Sequence, residues 1–182
     1  MCGICGIIQF QSSASASKRK ALVAKMNHAL LHRGPDAEGY YQSQEAHLAM
    51  RRLAISDQAG GNQPIYNADK SIAIVFNGEI YNYRSLKEVH CKDYVFKSNT
   101  DSEVVLALYA KFKEDCVNYL NGMFAFAIYD TVDNKFFIAR DVRHTACRDH
   151  APIHFFGHLF SNVLFYAVQL HHGLKLTIRQ LQ

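Results

Sequence analysis

Apolar residues open this chain in an unbroken run: Gly3, Ile4, Cys5, Gly6, Ile7 and Ile8 read as a buried strand. From Ser17 to His32 the pattern changes to helical spacing, with Leu22, Val23, Met26, Ala29 and Leu30 expected on one face and Gly34-Pro35 as the stop. Short strands are predicted around Gly39 to Gln42, His47 to Ile55 and Ser71 to Phe76, separated by Gly, Asn and Pro turns. Thr100-Asp101-Ser102-Glu103 has the form of a capping box, and a helix to about Lys113 follows with Val104, Val105, Leu108 and Phe112 as its apolar stripe. Phe124 to Tyr129 and Lys135 to Ala139 read as a hairpin closed over Asp130 to Asn134. Many strands with two packed helices imply an α+β layered domain.

Composition narrows the class. The 182 residues, 49% hydrophobic with 12 Phe and 10 Tyr, suffice for one domain with a core. A net charge of +4 spread over scattered Lys and Arg leaves no nucleic-acid footprint, and Lys18-Arg19-Lys20 reads as the solvated start of a helix. Met1 to Phe10 lacks the charged start of a signal peptide. The longest apolar stretch, Phe155 to Leu170, is interrupted by His158, Asn162 and Gln169 and falls short of the roughly 20 residues that cross a bilayer. The expectation is a soluble, cytoplasmic protein with neither nucleic acid nor membrane as partner. Five cysteines (Cys2, Cys5, Cys91, Cys116, Cys147) form an odd count that suits a reducing compartment.

Cys2 directly follows the initiator methionine. Once Met1 is removed, its thiol and α-amine share one residue, and an adjacent amine is one way to activate a terminal nucleophile. The α-amine, with a reference pKa of roughly 8, is partly neutral near pH 7. Five further segments concentrate polar groups beside turns: His32-Arg33-Gly34-Pro35-Asp36, Arg52-Leu53-Ala54-Ile55-Ser56-Asp57, Gly61-Asn62-Gln63-Pro64, Asn77-Gly78-Glu79-Ile80-Tyr81-Asn82 and Thr100-Asp101-Ser102-Glu103. Taken singly, Gly34-Pro35 and Asn77-Gly78 read as turns, Thr100 and Glu103 as a cap, and Arg52 as a surface charge.

In this order and spacing the segments from Met1 to Asp141 resemble the amino-terminal glutaminase domain of glutamine-hydrolysing asparagine synthetases. That is a class II glutamine amidotransferase, and the resemblance implies the four-layer αββα sandwich of amino-terminal-nucleophile hydrolases. It also implies hydrolysis of L-glutamine to glutamate and ammonia through a Cys2 thioester, with the ammonia destined for asparagine synthesis. By the same resemblance, Cys2 is the nucleophile and its α-amine the proton shuttle. Asn77 and Gly78 form the oxyanion hole, and Arg52 holds the substrate carboxylate. Glu79 and Asp101 meet the ammonium and neighbouring polar groups, while Leu53, Ala54, Ile55 and Ser56 line the pocket. A guanidinium fork suits a carboxylate, and glycine admits close approach to a substrate. Asp101 would meet the dipole of its helix even without a ligand, and His32 is read as structural because the terminal amine fills the role of base.

The glutaminase step implies no cofactor and no metal. ATP and Mg²⁺ would enter only through a synthetase domain, whose Ser-Gly-Gly-x-Asp-Ser nucleotide loop has no copy in these 182 residues. Beyond Arg140-Asp141 the chain departs from the family's Gly-Ile-Lys-Pro-Leu-Tyr-Tyr continuation, so residues 142–182 are read as a divergent tail that either follows or completes the same domain. A faint echo of two strands remains, around Pro152 to Phe156 and Val163 to Leu170. The tail also carries His144, Cys147, His150, His154 and His158, read as incidental rather than as zinc ligands. Two other readings stay open at this level: a non-catalytic remnant or glutamine-binding module, and a subunit supplying ammonia to a separate ATP-dependent synthetase chain.

Overall fold

A computed structural model describes residues 2–9, 16–54, 61–141, 163–168 and 175–181, the last two segments as strands. Ile55 and Ser56 lie outside the described residues, as do Met1 and the histidines and cysteine of the tail. Among the described residues, one sheet has the order β2-β3-β1-β8: β1 is Gly3–Gln9, β2 Ala37–Gln42, β3 Ala46–Arg52 and β8 Val163–Val168. A second has the order β4-β5-β6-β7-β9: β4 is Ile65–Tyr66, β5 Ile72–Ile80, β6 Gly122–Asp130, β7 Lys135–Asp141 and β9 Lys175–Leu181. The helices are α1 (Ala16–Ala29), α2 (Tyr83–His90) and α3 (Asp101–Phe112).

Strand alternation explains the layering. On β1, Cys5 and Ile7 pack with Val23 and Leu30 beneath α1, while Ile4 and Ile8 face the opposite way, onto Leu48, Met50, Val75, Ala127, Tyr129 and Phe136 between the sheets. On β5, Ile74 and Phe76 face α3 in a third cluster with Val104, Leu108, Phe126 and Phe137. Three apolar layers therefore separate α1, sheet, sheet and α2/α3, the αββα sandwich expected from the resemblance. Because α3 is covered so thoroughly, every residue from Ser102 to Tyr109 is buried, a wider face than the four-residue stripe in its sequence suggests.

Several elements differ from the sequence reading. In α1 Leu22 is 46% exposed and Ala29 is exposed, while the fully buried polar Asn27 takes a place on the inner face with Val23 and Leu30. Its Nδ2 finds partners there, donating to Tyr40 Oη at 3.0 Å and Glu38 Oε2 at 3.3 Å, while its Oδ1 is buried without one. α1 stops at Ala29 rather than at His32, and Leu31–Arg33 form a separate 3-10 turn. The capping box does not close. Glu103 instead accepts the N–H groups of Lys97 (2.8 Å) and Ser98 (2.6 Å) and the Ser98 hydroxyl (2.6 Å), three donors that outcompete the single N–H of Thr100. β4, α2, the 3-10 segment Lys113–Tyr119 and β9 have no counterpart in the sequence reading.

The predicted hairpin is present and longer at both ends. Asp130, fully buried, accepts the Val132 and Asp133 N–H groups at 3.0 and 3.1 Å, and Lys113 pairs with Asp130 and Asp133 at 2.8 and 2.7 Å. Beyond it, β8 lies parallel to β1 and β9 parallel to β7, so strands from the tail flank both sheets. No helix among the described residues is long and apolar enough to cross a membrane.

Candidate active site

Period-two geometry decides which side chains meet. Cys2 heads β1 on the face of Ile4 and Ile8 and packs against the cluster between the sheets. Arg52 ends β3 on the face of Leu48 and Met50, and Asn77 lies two residues after Val75 on β5. All three therefore turn into the same inner layer, Cys2 and Arg52 at strand ends and Asn77 within β5. Ala125, the register partner of Asn77, packs against the same cluster as Cys2.

The backbone of Leu53 holds the thiol. Its N–H points at Cys2 Sγ across 3.4 Å, and the sulfur lies 3.9 Å from Leu53 O. Arg52 is buried, 7% exposed, and donates from Nη1 to Asn62 Oδ1 at 3.3 Å. The segment Arg52-Leu53-Ala54 is fixed from outside by the Gly34-Pro35-Asp36 turn. Asp36 N–H donates to Arg52 O (3.1 Å), and Asp36 Oδ2 accepts the Ala54 N–H at 2.7 Å. Gly34 makes this possible, since a Cβ there would stand 2.4 Å from the carbonyl carbon of Arg51. The sequence reading gave Asp36 and Asn62 no role. Their signal was only a polar residue beside a glycine or proline turn, which many loops share.

Asn77-Gly78 is no turn. Both residues lie inside β5, opposite Ala125 and Phe124. Gly78 has φ +146°, and a Cβ would come within 2.1 Å of Met123 O and 2.5 Å of Phe124 Cα, so only glycine fits. Asn77 is 4% exposed, and its Oδ1 is buried with no hydrogen-bond partner. Asn27 Oδ1 and Tyr109 Oη are buried without a partner too, so what sets Asn77 apart is its place in the inner layer on the face that Cys2 shares.

The edge of β5 that faces away from β6 explains what lies open. β4 covers it only at Ala73 and Ile74. Further along, Phe76 N–H is taken by Gln63 Oε1 (2.6 Å) and Ile80 N–H by Asp101 Oδ2 (2.8 Å). Alternation turns the Gly78 N–H to this same edge, between those two, and no described group bonds it. A donor is thus left free beside the Asn77 side chain.

Asp101 stands next to it at the start of α3. Its second oxygen accepts the Ser102 N–H at 2.8 Å. Burial pushes the carboxyl above the usual carboxylate range, and the neighbouring Glu79 adds to the rise. Glu79 itself is exposed on β5. Cys5, by contrast, is fully buried toward α1, and desolvation pushes its thiol up to about 12. His32 is exposed, with Nδ1 at 3.0 Å from Ala29 O at the end of α1.

The family model for a glutamine amidotransferase domain matches residues 1–146. The chain belongs to this family. It is 40% identical over 142 residues to glutamine-hydrolysing asparagine synthetase 1 of Bacillus subtilis strain 168, covering 78% of this chain and 22% of that protein. Asparagine synthetase 2 of Oryza sativa subsp. japonica is 43% identical over 141 residues, with 78% of this chain and 23% of that protein covered. The amidotransferase chain therefore spans about a quarter of the length of these relatives. Among solved structures, the glutamine phosphoribosylpyrophosphate amidotransferase of Bacillus subtilis superposes with a TM-score of 0.53 at 18% identity, over 71% of this chain and 35% of that one. At that identity the likeness speaks for the fold.

Proposed function

We propose that this domain hydrolyses the side-chain amide of L-glutamine, with Cys2 as nucleophile, Asn77 and Gly78 as oxyanion donors, and Arg52 and Asp101 as the ligands of the substrate's carboxylate and ammonium. The observation that carries the reading is convergence: Cys2, Arg52 and Asn77 share one inner face, beside the open N–H of Gly78. Sulfur attacks the amide carbon, its proton passes to the Cys2 α-amine freed by loss of Met1, and the amine returns it to the departing nitrogen. Ammonia leaves and a thioester remains. Water activated by the same amine attacks the thioester, the C–S bond breaks, and glutamate is released. Negative charge on the substrate oxygen in both tetrahedral stages is met by the Asn77 amide and the Gly78 N–H, where preorganised donors contribute most.

Leu53 borders the thiol through its backbone, Ala54 follows it in the proposed pocket wall, and Glu79 extends the acidic rim near Asp101. The pocket wall is proposed to continue through Ile55 and Ser56. No metal or cofactor enters this step. The likeness to asparagine synthetases supports asparagine synthesis as the fate of the ammonia, with ATP, Mg²⁺ and aspartate handled by synthetase parts outside this chain, whether on a longer polypeptide or a partner chain.

Purified protein shown by intact mass to lack Met1 is expected to release glutamate and ammonia from glutamine alone, without ATP, and to make no asparagine. A folded sample of that mass that releases no ammonia would contradict the proposal.

The raised Asp101 carboxyl gives a pH signature. The folded, unliganded domain holds the Asp101 proton more tightly than the unfolded chain, so it loses stability as pH rises from the ordinary carboxylate range through the higher folded value. A substrate ammonium favours the ionised form and offsets that loss. KM for glutamine is therefore expected to rise as pH falls, beginning above the range of an ordinary carboxylate, and glutamine is expected to raise Tm more at neutral than at acid pH. Asp101→Asn, which keeps an acceptor for the Ile80 N–H, should raise KM at neutral pH and remove the inflection. A KM–pH profile unchanged in that variant would show that Asp101 does not hold the ammonium.

A further inference from the structure

We propose that Gln63 is a positioning residue that locks the oxyanion-bearing strand to the arm holding Arg52; this rests on the glutaminase reading above. The β4–β5 register pairs Tyr66 with Ala73 and Ile65 with Ile74, and its continuation brings residue 63 opposite Phe76. At that place the side chain does what the main chain of a longer strand would do. Phe76 N–H donates to Gln63 Oε1 at 2.6 Å, and Gln63 Nε2 donates to Phe76 O at 3.0 Å. The main-chain carbonyl of Gln63 is turned elsewhere, against Gly39 of β2, where a Cβ would stand only 1.7 Å from it.

One residue thus touches both sheets. Its backbone rests on the sheet that carries Cys2 and Arg52, its side chain grips the sheet that carries Asn77 and Gly78, and its neighbour Asn62 accepts from the Arg52 guanidinium. Phe76 immediately precedes Asn77. A shift of the strand there moves both oxyanion donors relative to the thiol, and misplacements near 1 Å cost on the order of 100-fold in rate. The clamp needs a donor and an acceptor side by side at the end of a two-methylene stem. Asparagine is one methylene short, glutamate sets a carboxylate oxygen against the Phe76 carbonyl, and methionine offers neither bond.

The role is tested with Gln63→Met and Gln63→Glu in the full chain lacking Met1. Both are expected to lower kcat by about 10- to 100-fold while moving KM for glutamine far less, because Arg52 keeps its own partner. In an Asn77→Ala background Gln63→Met should lose the share of its effect that Asn77 carries and keep only the share that comes from displacing Gly78, so the combined loss is less than additive. Amide hydrogen exchange supplies a readout that does not depend on turnover: the Asn77 N–H, which alternation turns to β6 opposite Ala125, should exchange at least about tenfold faster in Gln63→Met, while amides at the centre of α3 stay protected. If Gln63→Met does not fold cooperatively, Gln63→Glu carries the same measurements, as it retains the acceptor for the Phe76 N–H. Additive losses with Asn77→Ala, or Asn77 exchange unchanged in both variants, would overturn the clamp. Absence of turnover in the unmutated chain would instead overturn the glutaminase reading, and the exchange comparison would still decide the role of Gln63.

Discussion

Cys2→Ala is expected to abolish glutamine hydrolysis, and Cys5→Ala to leave most of it. The two thiols are three residues apart and differ in everything the chemistry requires. Cys2 is half-buried at the head of β1, on the face shared with Arg52 and Asn77, and only it shares a residue with a terminal amine once Met1 is gone. Cys5 points the other way, under α1, where desolvation keeps it protonated at any physiological pH. Its replacement removes one buried sulfur, a loss on the order of 1 kcal/mol in stability that leaves the inner layer untouched. A chain that retains Met1 should be as inactive as Cys2→Ala, because the amine is then tied up in a peptide bond. Mass spectrometry of a rapidly quenched reaction should find the glutamyl thioester on the peptide bearing Cys2. Normal turnover by a chain retaining Met1 would refute the terminal-amine mechanism, and a glutamyl adduct on Cys5 would reverse the assignment.

Asn77→Ala is expected to lower kcat by roughly 100- to 1,000-fold, the range for losing one oxyanion donor, with a much smaller change in KM. The side chain lies in the inner layer and its Oδ1 has no partner, so truncation breaks no bond made by that oxygen in the free protein. Arg52 supplies the contrast. Its guanidinium binds an end of the substrate that does not react, so Arg52→Ala should act mainly on KM, weakening ground and transition states alike. Because Arg52 is buried and bonded to Asn62, Arg52→Lys serves as a second variant, keeping the charge and losing the planar fork. Steady-state kinetics beside a thermal melt of each variant check this. Equal effects on kcat from both residues would remove the division between chemistry and recognition.

The sequence by itself determined much of this domain. The unbroken apolar run at Gly3 to Ile8, the turn between the strands of the 124–139 hairpin and the apolar positions of α3 are local signals, and they became β1, β6, β7 and α3 close to their expected bounds. The polar segments beside turns were equally legible, and with Cys2 they pointed to a class of chemistry. Adjacency across the layers was not legible. Asn77-Gly78 looks like a turn to any local reading, and only the approach of Met123 O shows that it is a strand requiring a glycine. Glu103 left its expected cap because Lys97 and Ser98 bring three donors to it, and Asn27 replaced Leu22 on the inner face of α1 where Glu38 and Tyr40 accept from its Nδ2. β8 and β9 are held by pairing with β1 and β7, more than 100 and about 40 residues upstream, which no periodicity within the tail encodes. The tertiary structure also gave Gln63 its place, because a side-chain amide acquires meaning only when the strand it completes is folded beside it. Local physics chose the elements; the convergence of Cys2, Arg52 and Asn77 on a single inner face, beside one open N–H, came from packing two sheets together.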